Sequence, residues 1–437
     1  MKGLADEPNH IVELLEGGTT LEDVIDGHVQ EQALADKSVF VVADLGILMR
    51  QHVQWQNTVP RISSYYPVST NSSPALLQIL ASLGLGFVCA NKVEVSLALD
   101  CGVPPENVIF SGVCKQLSHI KYAAKNGVDL LICDSETELC KIARCHPNAK
   151  LLVQVTTCAQ AADTSMAFGC SLKSCRHLLE MAKSLGMQVV GTMFHIPTSC
   201  KDLQAYGHAL SDSRCVFDMA EELGFNMSIL DIGGGFSGSE YQLKQVHSAV
   251  QPLLDAYFPS MSGVQVIAEP GSYYVSSAFT LAVNIIGKVV TRDWSGLAQD
   301  KITPDDEPEF LYYLNDGVYG SFSSKLLGGS FPPPAVHKRA STREEPVFSS
   351  SLWGPTLDSL DQVVEHCLLP ELVPGDWLVF NNMGASGLEK LSSFSNSSST
   401  RPPVYNTVST SDWYEMQEAG ITLDSVMKNF SLVQYGA

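Results

Sequence analysis

Residues 107–133 read NVIFSGVCKQLSHIKYAAKNGVDLLIC, which is a short apolar run, a longer stretch of helical character and a second apolar run. The two runs, 107–111 and 129–133, are apolar on both faces, as strands of a parallel sheet covered by helices should be. The stretch between them predicts a helix over 115–126. A unit of strand, helix and strand indicates an α/β protein with parallel strands.

The same rhythm extends from about residue 60 to residue 270. Strands are predicted at 61–68, 86–89, 107–111, 129–133, 150–156, 188–195, 227–232 and 264–269. Helices are predicted at 74–83, 92–101, 115–126, 135–146, 171–186, 202–223 and 241–257. Eight strands with helices between them predict a (β/α)8 barrel of the TIM type. A doubly wound open sheet is the alternative, because one strand miscounted would change the fold.

The alternation of strands and helices ends after residue 270, where short strands are separated by turns rich in Pro, Gly and Ser. This pattern predicts a C-terminal antiparallel β domain with strands at 273–290, 309–314, 346–352, 376–381 and 403–409. The apolar run 38–43 (SVFVVA) is expected to pair with it, while 292–308 and 385–402 are expected to be exposed, mobile loops. The predicted organisation is therefore an N-terminal segment (1–43) that joins the β domain, a barrel (44–275) and the β domain (276–437).

Composition limits the possible functions. The 437 residues are 45% apolar and can bury a large core, and 47 acidic against 27 basic residues give a formal charge of −20. Such a chain is a poor binder of nucleic acid and of anionic membranes, because both repel it.

The 12 cysteines form no CxxC pair, so no metal site is predicted. The start, MKGLADEPNH, resembles no export signal, so a cytoplasmic location is expected, with the nucleus as a further possibility.

Six ordered strings carry a family resemblance: YPVSTN (66–71), FH (194–195), DIGGGF (231–236), AEPGSYY (268–274), NDGVYG (315–320) and WGP (353–355). Together they resemble the fold-type III, pyridoxal-phosphate-dependent ornithine decarboxylases over roughly residues 38–432. The resemblance implies a barrel and a β domain, in agreement with the rhythm of the strands.

The resemblance also shows what this chain has lost. Ser69 stands where the family carries the lysine that forms an imine with the cofactor, and a hydroxyl cannot form one. Ser272 replaces a phosphate-binding arginine, and Leu357 replaces the catalytic cysteine. These departures predict a protein that is not an enzyme and needs no cofactor.

A remnant of the cofactor pocket is implied by the residues that still match the family: Glu94, His195, Gly233, Gly234, Gly235, Glu269 and Asp358. In the family the histidine stacks on the pyridine ring, the glutamate pairs with its nitrogen, and the glycines face the phosphate. Here the glycines can equally serve a tight turn. Without the lysine, a packed role is preferred for His195, and Glu269 and Asp358 are expected to be surviving hydrogen-bond partners.

Within the family, strings such as QWQN (54–57), SDWYEMQEAGIT (411–422) and MKNF (427–430) resemble the antizyme inhibitors. These are homologues of ornithine decarboxylase without its activity. They bind antizyme, release the decarboxylase from inhibition and degradation, and so promote polyamine (putrescine) synthesis and uptake. The alternatives are a decarboxylase with a degenerate site and a decayed paralogue without a partner.

The resemblance places antizyme binding on residues 114–145. The residues implied are five cations and one acid: Lys115, Lys121, Lys125, Lys141, Arg144 and Glu138. On two neighbouring helices they would form one basic patch in an acidic chain, although spacing alone favours an ordinary solvated helix face. Because no shared chemistry would maintain a dimer, a monomer or weak dimer is expected, and a weak heterodimer with ornithine decarboxylase is a further possibility.

Overall fold

The computed structural model of the chain describes residues 10–32, 37–157, 168–198, 200, 202–291, 309–329, 331–337, 346–385, 402–418 and 430–435. The chain divides into two compact units. One unit comprises residues 48–274, and the other comprises residues 1–47 with 275–437. The predicted loop 292–308, and nearly all of the loop predicted at 385–402, lie outside the described residues.

Eight parallel strands of the first unit close into a barrel, in the order β10-β3-β4-β5-β6-β7-β8-β9. Their bounds are β3 Ile62–Pro67, β4 Gly86–Cys89, β5 Val108–Phe110, β6 Leu130–Cys133, β7 Lys150–Gln154, β8 Gln188–Met193, β9 Ile229–Asp231 and β10 Gln265–Ala268. The pairing of β10 with β3, at Val266 opposite Ile62, closes the ring. The predicted barrel is thus confirmed, and the open sheet is excluded.

The barrel interior is filled by apolar side chains from successive strands, including Val88, Ile132, Met193 and Ile267. The helices follow the strands as α2 Gly46–Thr58, α3 Pro74–Ser82, α4 Lys92–Asp100, α5 Leu117–Lys125, α6 Glu136–Cys145, α7 Leu172–Ser184, α8 Gln204–Glu222, α9 Glu240–Tyr257 and the short α10 Gly271–Val275. Several begin at a side-chain cap. Ser135, for example, accepts a hydrogen bond from the backbone of Glu138, which stabilises the first turn of α6.

The second unit is built on a sheet with the path β15-β14-β12-β11-β2-β17-β1-β18, to which β13 and β16 add a branch at β11. Its strands are β1 His10–Leu15, β2 Phe40–Asp44, β11 Phe279–Thr291, β12 Glu309–Leu314, β13 Ala335–Val336, β14 Val347–Trp353, β15 Gln362–Pro370, β16 Trp377–Phe380, β17 Val404–Ser409 and β18 Phe430–Gln434. Two helices accompany it, α1 Leu21–Glu31 and α11 Thr410–Glu418. Phe40, Val42, Ala282 and Trp377 are part of its core.

The sheet is mixed, so the prediction of an antiparallel domain is wrong in part. Strand β11 is antiparallel to β2, β12 and β16. However, β1 runs parallel to β17 and β18, β17 runs parallel to β2, and β12 runs parallel to β14. Apolar alternation shows which residues face the core, but it does not record strand direction. The strand predicted from residue 273 begins only at Phe279, because Gly271–Val275 is helical.

None of the helices in the described part of the chain has both the length and the apolar character needed to cross a membrane. The same residues contain no group of three or more His, Cys, Asp or Glu side chains arranged to hold a metal ion.

Candidate functional site

A cavity of about 250 Å³ lies at the carboxyl ends of the barrel strands, the position at which barrels of this type carry their active sites. We call it the barrel cavity. Its lining includes Ser69 after β3, His195 after β8, and Glu269 and Ser272 after β10. Gly234 and Gly235, which follow β9, complete this side of the lining. The fold therefore brings together five of the residues that the motifs singled out, together with Ser69, at which the resemblance implies a lysine in the family.

The three glycines form a tight turn against the segment that carries His195. Gly233 and Gly235 have φ values of +65° and +94°, a region that favours glycine. A Cβ on Gly233 would collide with the carbonyl of Phe194, and one on Gly234 would lie 2.8 Å from Cε1 of His195. The backbone N–H of Gly233 donates to Asp231 at 2.8 Å, and that of Gly234 donates to Nδ1 of His195 at 3.2 Å. Two of the three N–H groups are therefore used within the protein.

His195 is held in one neutral tautomer. Because its Nδ1 accepts the hydrogen bond from Gly234, the ring proton resides on Nε2. Burial lowers the pKa of His195, so the ring is uncharged at neutral pH. The packed role of this histidine stays a prediction, since its ring also lines the barrel cavity.

Glu269 lies beside a second carboxyl group, that of Asp231. Strands β9 and β10 pair, and Asp231 stands opposite Ile267, two residues before the glutamate. Asp231 is fully buried, and Glu269 is 9% exposed. Burial raises the pKa of Glu269 to about 7, and burial together with the neighbouring Glu269 raises the pKa of Asp231 well above its ordinary value. Two carboxyl groups this close cannot both ionise easily, so the pair retains a proton near neutral pH.

Three residues of the predicted pocket are not in the lining of the barrel cavity: Gly233, which belongs to the turn described above, and Glu94 and Asp358. Glu94 accepts hydrogen bonds from the backbone N–H of Ala90 at 2.7 Å and from the Asn91 side chain, which caps α4. Asp358 is exposed and accepts hydrogen bonds from the Tyr319 hydroxyl and from the backbone N–H of Leu360. Asp358 was expected to be a hydrogen-bond partner, and its bond from Tyr319, 39 residues away along the chain, agrees with that expectation.

Pyridoxal phosphate does not fit the residues that are present. The described lining contains no lysine or arginine, so neither an imine-forming amine nor a cation for the phosphate is available. The N–H groups of Gly233 and Gly234 already have acceptors. The negative charge on the carboxyl pair of Asp231 and Glu269 would also repel a phosphate.

The six residues implied in antizyme binding fall into two groups. Lys115, Glu138 and Lys141 form what we call the lysine–glutamate cluster. Lys115 and Glu138 are each only 3% exposed, so the prediction that they lie on a surface patch is wrong. Nζ of Lys115 donates to the carbonyl of Ile132 at 2.5 Å, and its backbone N–H donates to Glu138 at 3.2 Å. Lys141 forms an ion pair with Glu138 and donates to the carbonyl of Lys115 at 2.9 Å.

The second group is exposed. Lys121 and Lys125 are one turn apart on α5, and Arg144 is near the end of α6; we call these three residues the exposed basic face. None of the three forms an ion pair with any residue that the structure describes. These three side chains face solvent, whereas the lysine–glutamate cluster holds the segment together from within.

Sequence reasoning did not single out Asp231 as the partner of Glu269, nor the burial of Lys115. The role of Asp231 could have been suspected from the sequence, because this residue opens the DIGGGF string and ends an apolar strand. The sequence gives no indication that Lys115 is buried, because Lys115, Lys121 and Lys125 have identical side chains and only the fold distinguishes their environments.

The pyridoxal-binding domain of the pyridoxal-dependent decarboxylases matches residues 45–276, a range that contains the whole barrel unit. The chain therefore belongs to the pyridoxal-dependent decarboxylase family. Within that family, the predicted resemblance to the antizyme inhibitors is confirmed. The chain is 55% identical to antizyme inhibitor 1 of Pongo abelii, over 99% of this chain and 96% of that protein. It is 46% identical to ornithine decarboxylase of Rattus norvegicus, over 93% of this chain and 88% of the enzyme.

A solved structure supports the same fold. The arginine decarboxylase of Paramecium bursaria Chlorella virus, bound to agmatine, has a TM-score of 0.78 at 27% identity. The match covers 89% of this chain and all of that one.

Proposed function

We propose that this protein is a non-catalytic regulator that binds antizyme and thereby frees ornithine decarboxylase from antizyme-driven inhibition and degradation. The observation that carries the proposal is Ser69, which lines the barrel cavity where the family's chemistry needs an amine. The high identity to antizyme inhibitor 1 along almost the whole chain supports the choice of partner.

Loss of catalysis follows from the chemistry of the lining. Decarboxylation in this family depends on an imine between a lysine and the cofactor, and a serine hydroxyl cannot replace that amine. Ser272 and Leu357 remove two further groups that the reaction uses. The alternative is a decarboxylase with a degenerate site. It would need other groups to replace the amine, the arginine and the cysteine that the reaction of the family uses.

Antizyme binding is assigned to the helix–strand–helix segment 114–145. The exposed basic face supplies Lys121, Lys125 and Arg144 for contact with an acidic surface of the partner. Charges at the edge of an interface mainly accelerate and orient association. The lysine–glutamate cluster has an indirect role, since it fixes the loop that leads into α5 against α6.

Antizyme held by this protein is unavailable to ornithine decarboxylase. The expected consequence is more active decarboxylase, more putrescine and greater polyamine uptake.

We further propose that the protein is a monomer or a weak dimer, and that it can form a weak heterodimer with ornithine decarboxylase. We propose that it is located in the cytoplasm and also in the nucleus. Sedimentation velocity, alone and with added decarboxylase, tests the assembly, and fluorescence microscopy of the tagged chain tests the location.

The deciding experiment is a competition assay with a preformed complex of ornithine decarboxylase and antizyme. Adding this protein should restore carbon dioxide release from ornithine in proportion to the amount added. The protein alone, with or without pyridoxal phosphate, should release none from ornithine, arginine or lysine. Failure to restore activity would contradict antizyme binding, and release by the protein alone would contradict the loss of catalysis.

A further inference from the structure

Three large apolar side chains are exposed beside the exposed basic face, near the carboxyl ends of two neighbouring barrel strands. They are Val93 in the first turn of α4, Val113 after β5 and Leu117 at the start of α5, with exposed fractions of 62%, 40% and 36%. We call these three residues the apolar patch. Single exposed apolar side chains are ordinary, but a group of them on one surface indicates a contact site.

The backbone brings the members of the apolar patch together. Strands β4 and β5 pair side by side, so the segments that follow them are neighbours. A Cβ on Gly112 would lie 2.5 Å from the carbonyl oxygen of Ala90, which shows that the loop after β5 passes directly against the segment before α4. Val113 follows this glycine, and Val93 comes three residues after Ala90. Leu117 begins α5 four residues after Val113.

The loop before α5 has a cation inside and apolar side chains outside. Lys115, between Val113 and Leu117 in the chain, is buried, and its Nζ donates to the carbonyl of Ile132. The usual arrangement is the reverse, with apolar side chains buried and lysine exposed. Departures of this kind from the usual pattern are typical of functional surfaces, because they cost stability and serve no purpose in folding.

The exposed basic face borders the apolar patch. Lys121 lies one turn after Leu117 on α5, and Lys125 lies one turn further on. Apolar side chains at the centre and charges at the edge are the common composition of a protein-binding surface. In a chain with a formal charge of −20, this local combination of apolar and basic side chains fits a partner whose surface carries apolar side chains among acidic ones.

We propose that the apolar patch is the centre of the antizyme interface, where antizyme buries apolar side chains while its acidic residues meet the exposed basic face. This inference rests on the proposed function, and it extends the binding surface beyond residues 114–145 to α4. The two parts of the surface act on different rate constants. Apolar contacts slow dissociation with little dependence on salt, whereas the basic side chains accelerate association at low salt.

The test is surface plasmon resonance of the whole chain on immobilised antizyme at two ionic strengths. Val113→Ser combined with Leu117→Ser removes apolar area without changing the charge. Dissociation should become about tenfold faster or more at both ionic strengths, and association should change little. The matched control is Val53→Ser with Leu185→Ser, which removes comparably exposed side chains on α2 and after α7 and should leave both rates unchanged.

The outcomes distinguish this inference from the proposed function. If the unaltered chain does not bind antizyme, the proposed function fails and the inference fails with it. If the unaltered chain binds, two results overturn the inference alone. One is a Val113 and Leu117 double variant that dissociates as slowly as the unaltered chain, and the other is a control variant that dissociates as fast as that double variant.

A footprint on the unaltered chain keeps the test decisive should the double variant fail to fold, which thermal unfolding reports. The exposed thiol of Cys114 adjoins Val113 in the chain, whereas the half-buried thiol of Cys215 lies on α8. With antizyme bound to about nine-tenths of the chain, alkylation of Cys114 by iodoacetamide should slow about tenfold, because only the free fraction reacts. Alkylation of Cys215 should be unchanged. An unchanged rate at Cys114, measured by mass spectrometry, would overturn the proposal.

Discussion

Glu138 accepts a hydrogen bond from the backbone N–H of Lys115 at 3.2 Å, although 23 residues separate the two along the chain. The ammonium group of Lys115 lies 4.0 Å from the same carboxylate. Burial lowers the pKa of Lys115, and the charge of Glu138 opposes that shift. The pair therefore ties the loop before α5 to the first turn of α6, so that two residues expected to contact a partner instead hold the segment together.

Removing Glu138 should destabilise the fold. Glu138→Ala leaves the buried ammonium of Lys115 without its counter-ion, and breaking such a pair costs about 3–5 kcal/mol. The free energy of unfolding, from urea titration, measures this loss. The control is Glu136→Ala, which removes an exposed carboxylate from the same turn and should change stability by less than about 0.5 kcal/mol. Equal effects would mean that the pair contributes nothing specific.

Charge reversal on the exposed basic face should slow association with antizyme. Lys121→Glu combined with Lys125→Glu leaves the core untouched, because both side chains are exposed. The effect should be large at low salt and shrink at high salt, as expected for electrostatic steering. Surface plasmon resonance at two ionic strengths measures the rates.

The control for that reversal is Lys173→Glu with Lys183→Glu. Both lysines are exposed on α7, and the change in net charge is the same. If the two double mutants associate with antizyme at the same rate at low salt, the exposed basic face is an ordinary solvated helix surface.

Pyridoxal phosphate should bind weakly or not at all. The chain lacks the covalent link, and loss of one charge-assisted contact at Ser272 alone weakens binding about tenfold to a hundredfold, from about 1.5–3 kcal/mol. Calorimetry measures the affinity, and violet absorbance reports any imine. A sub-micromolar dissociation constant would contradict this expectation and would give His195 and Glu269 a role in cofactor binding.

The carboxyl pair should make stability depend on pH. The pKa of Glu269 is about 7 in the folded protein and 4.5 in the reference state. A raised carboxyl pKa contributes stability that is fully present below 4.5 and is lost as the pH rises through about 7. Glutamine cannot ionise, so the wild type should lose stability relative to Glu269→Gln between about pH 5 and pH 8. Thermal unfolding of both proteins across this range measures it, and parallel curves would contradict the raised pKa.

The sequence by itself determined the barrel, and it alone carries the proposal that the chemistry of the family has been lost. Strand count and helical spacing are local patterns, so the motif-bearing strand ends could be placed near one another in advance. The identity of residue 69 is read directly from the sequence, and folding cannot change its hydroxyl into an amine.

Only the tertiary structure decided which lysines are buried, which strands run parallel and which carboxyl groups meet. Lys115 and Lys121 have the same side chain, and their different environments depend on a glutamate that a separate helix supplies. Asp231 and Glu269 become partners because β9 and β10 pair. Burial and electrostatic coupling are properties of residues brought together by folding, and alternation along one segment carries no record of them.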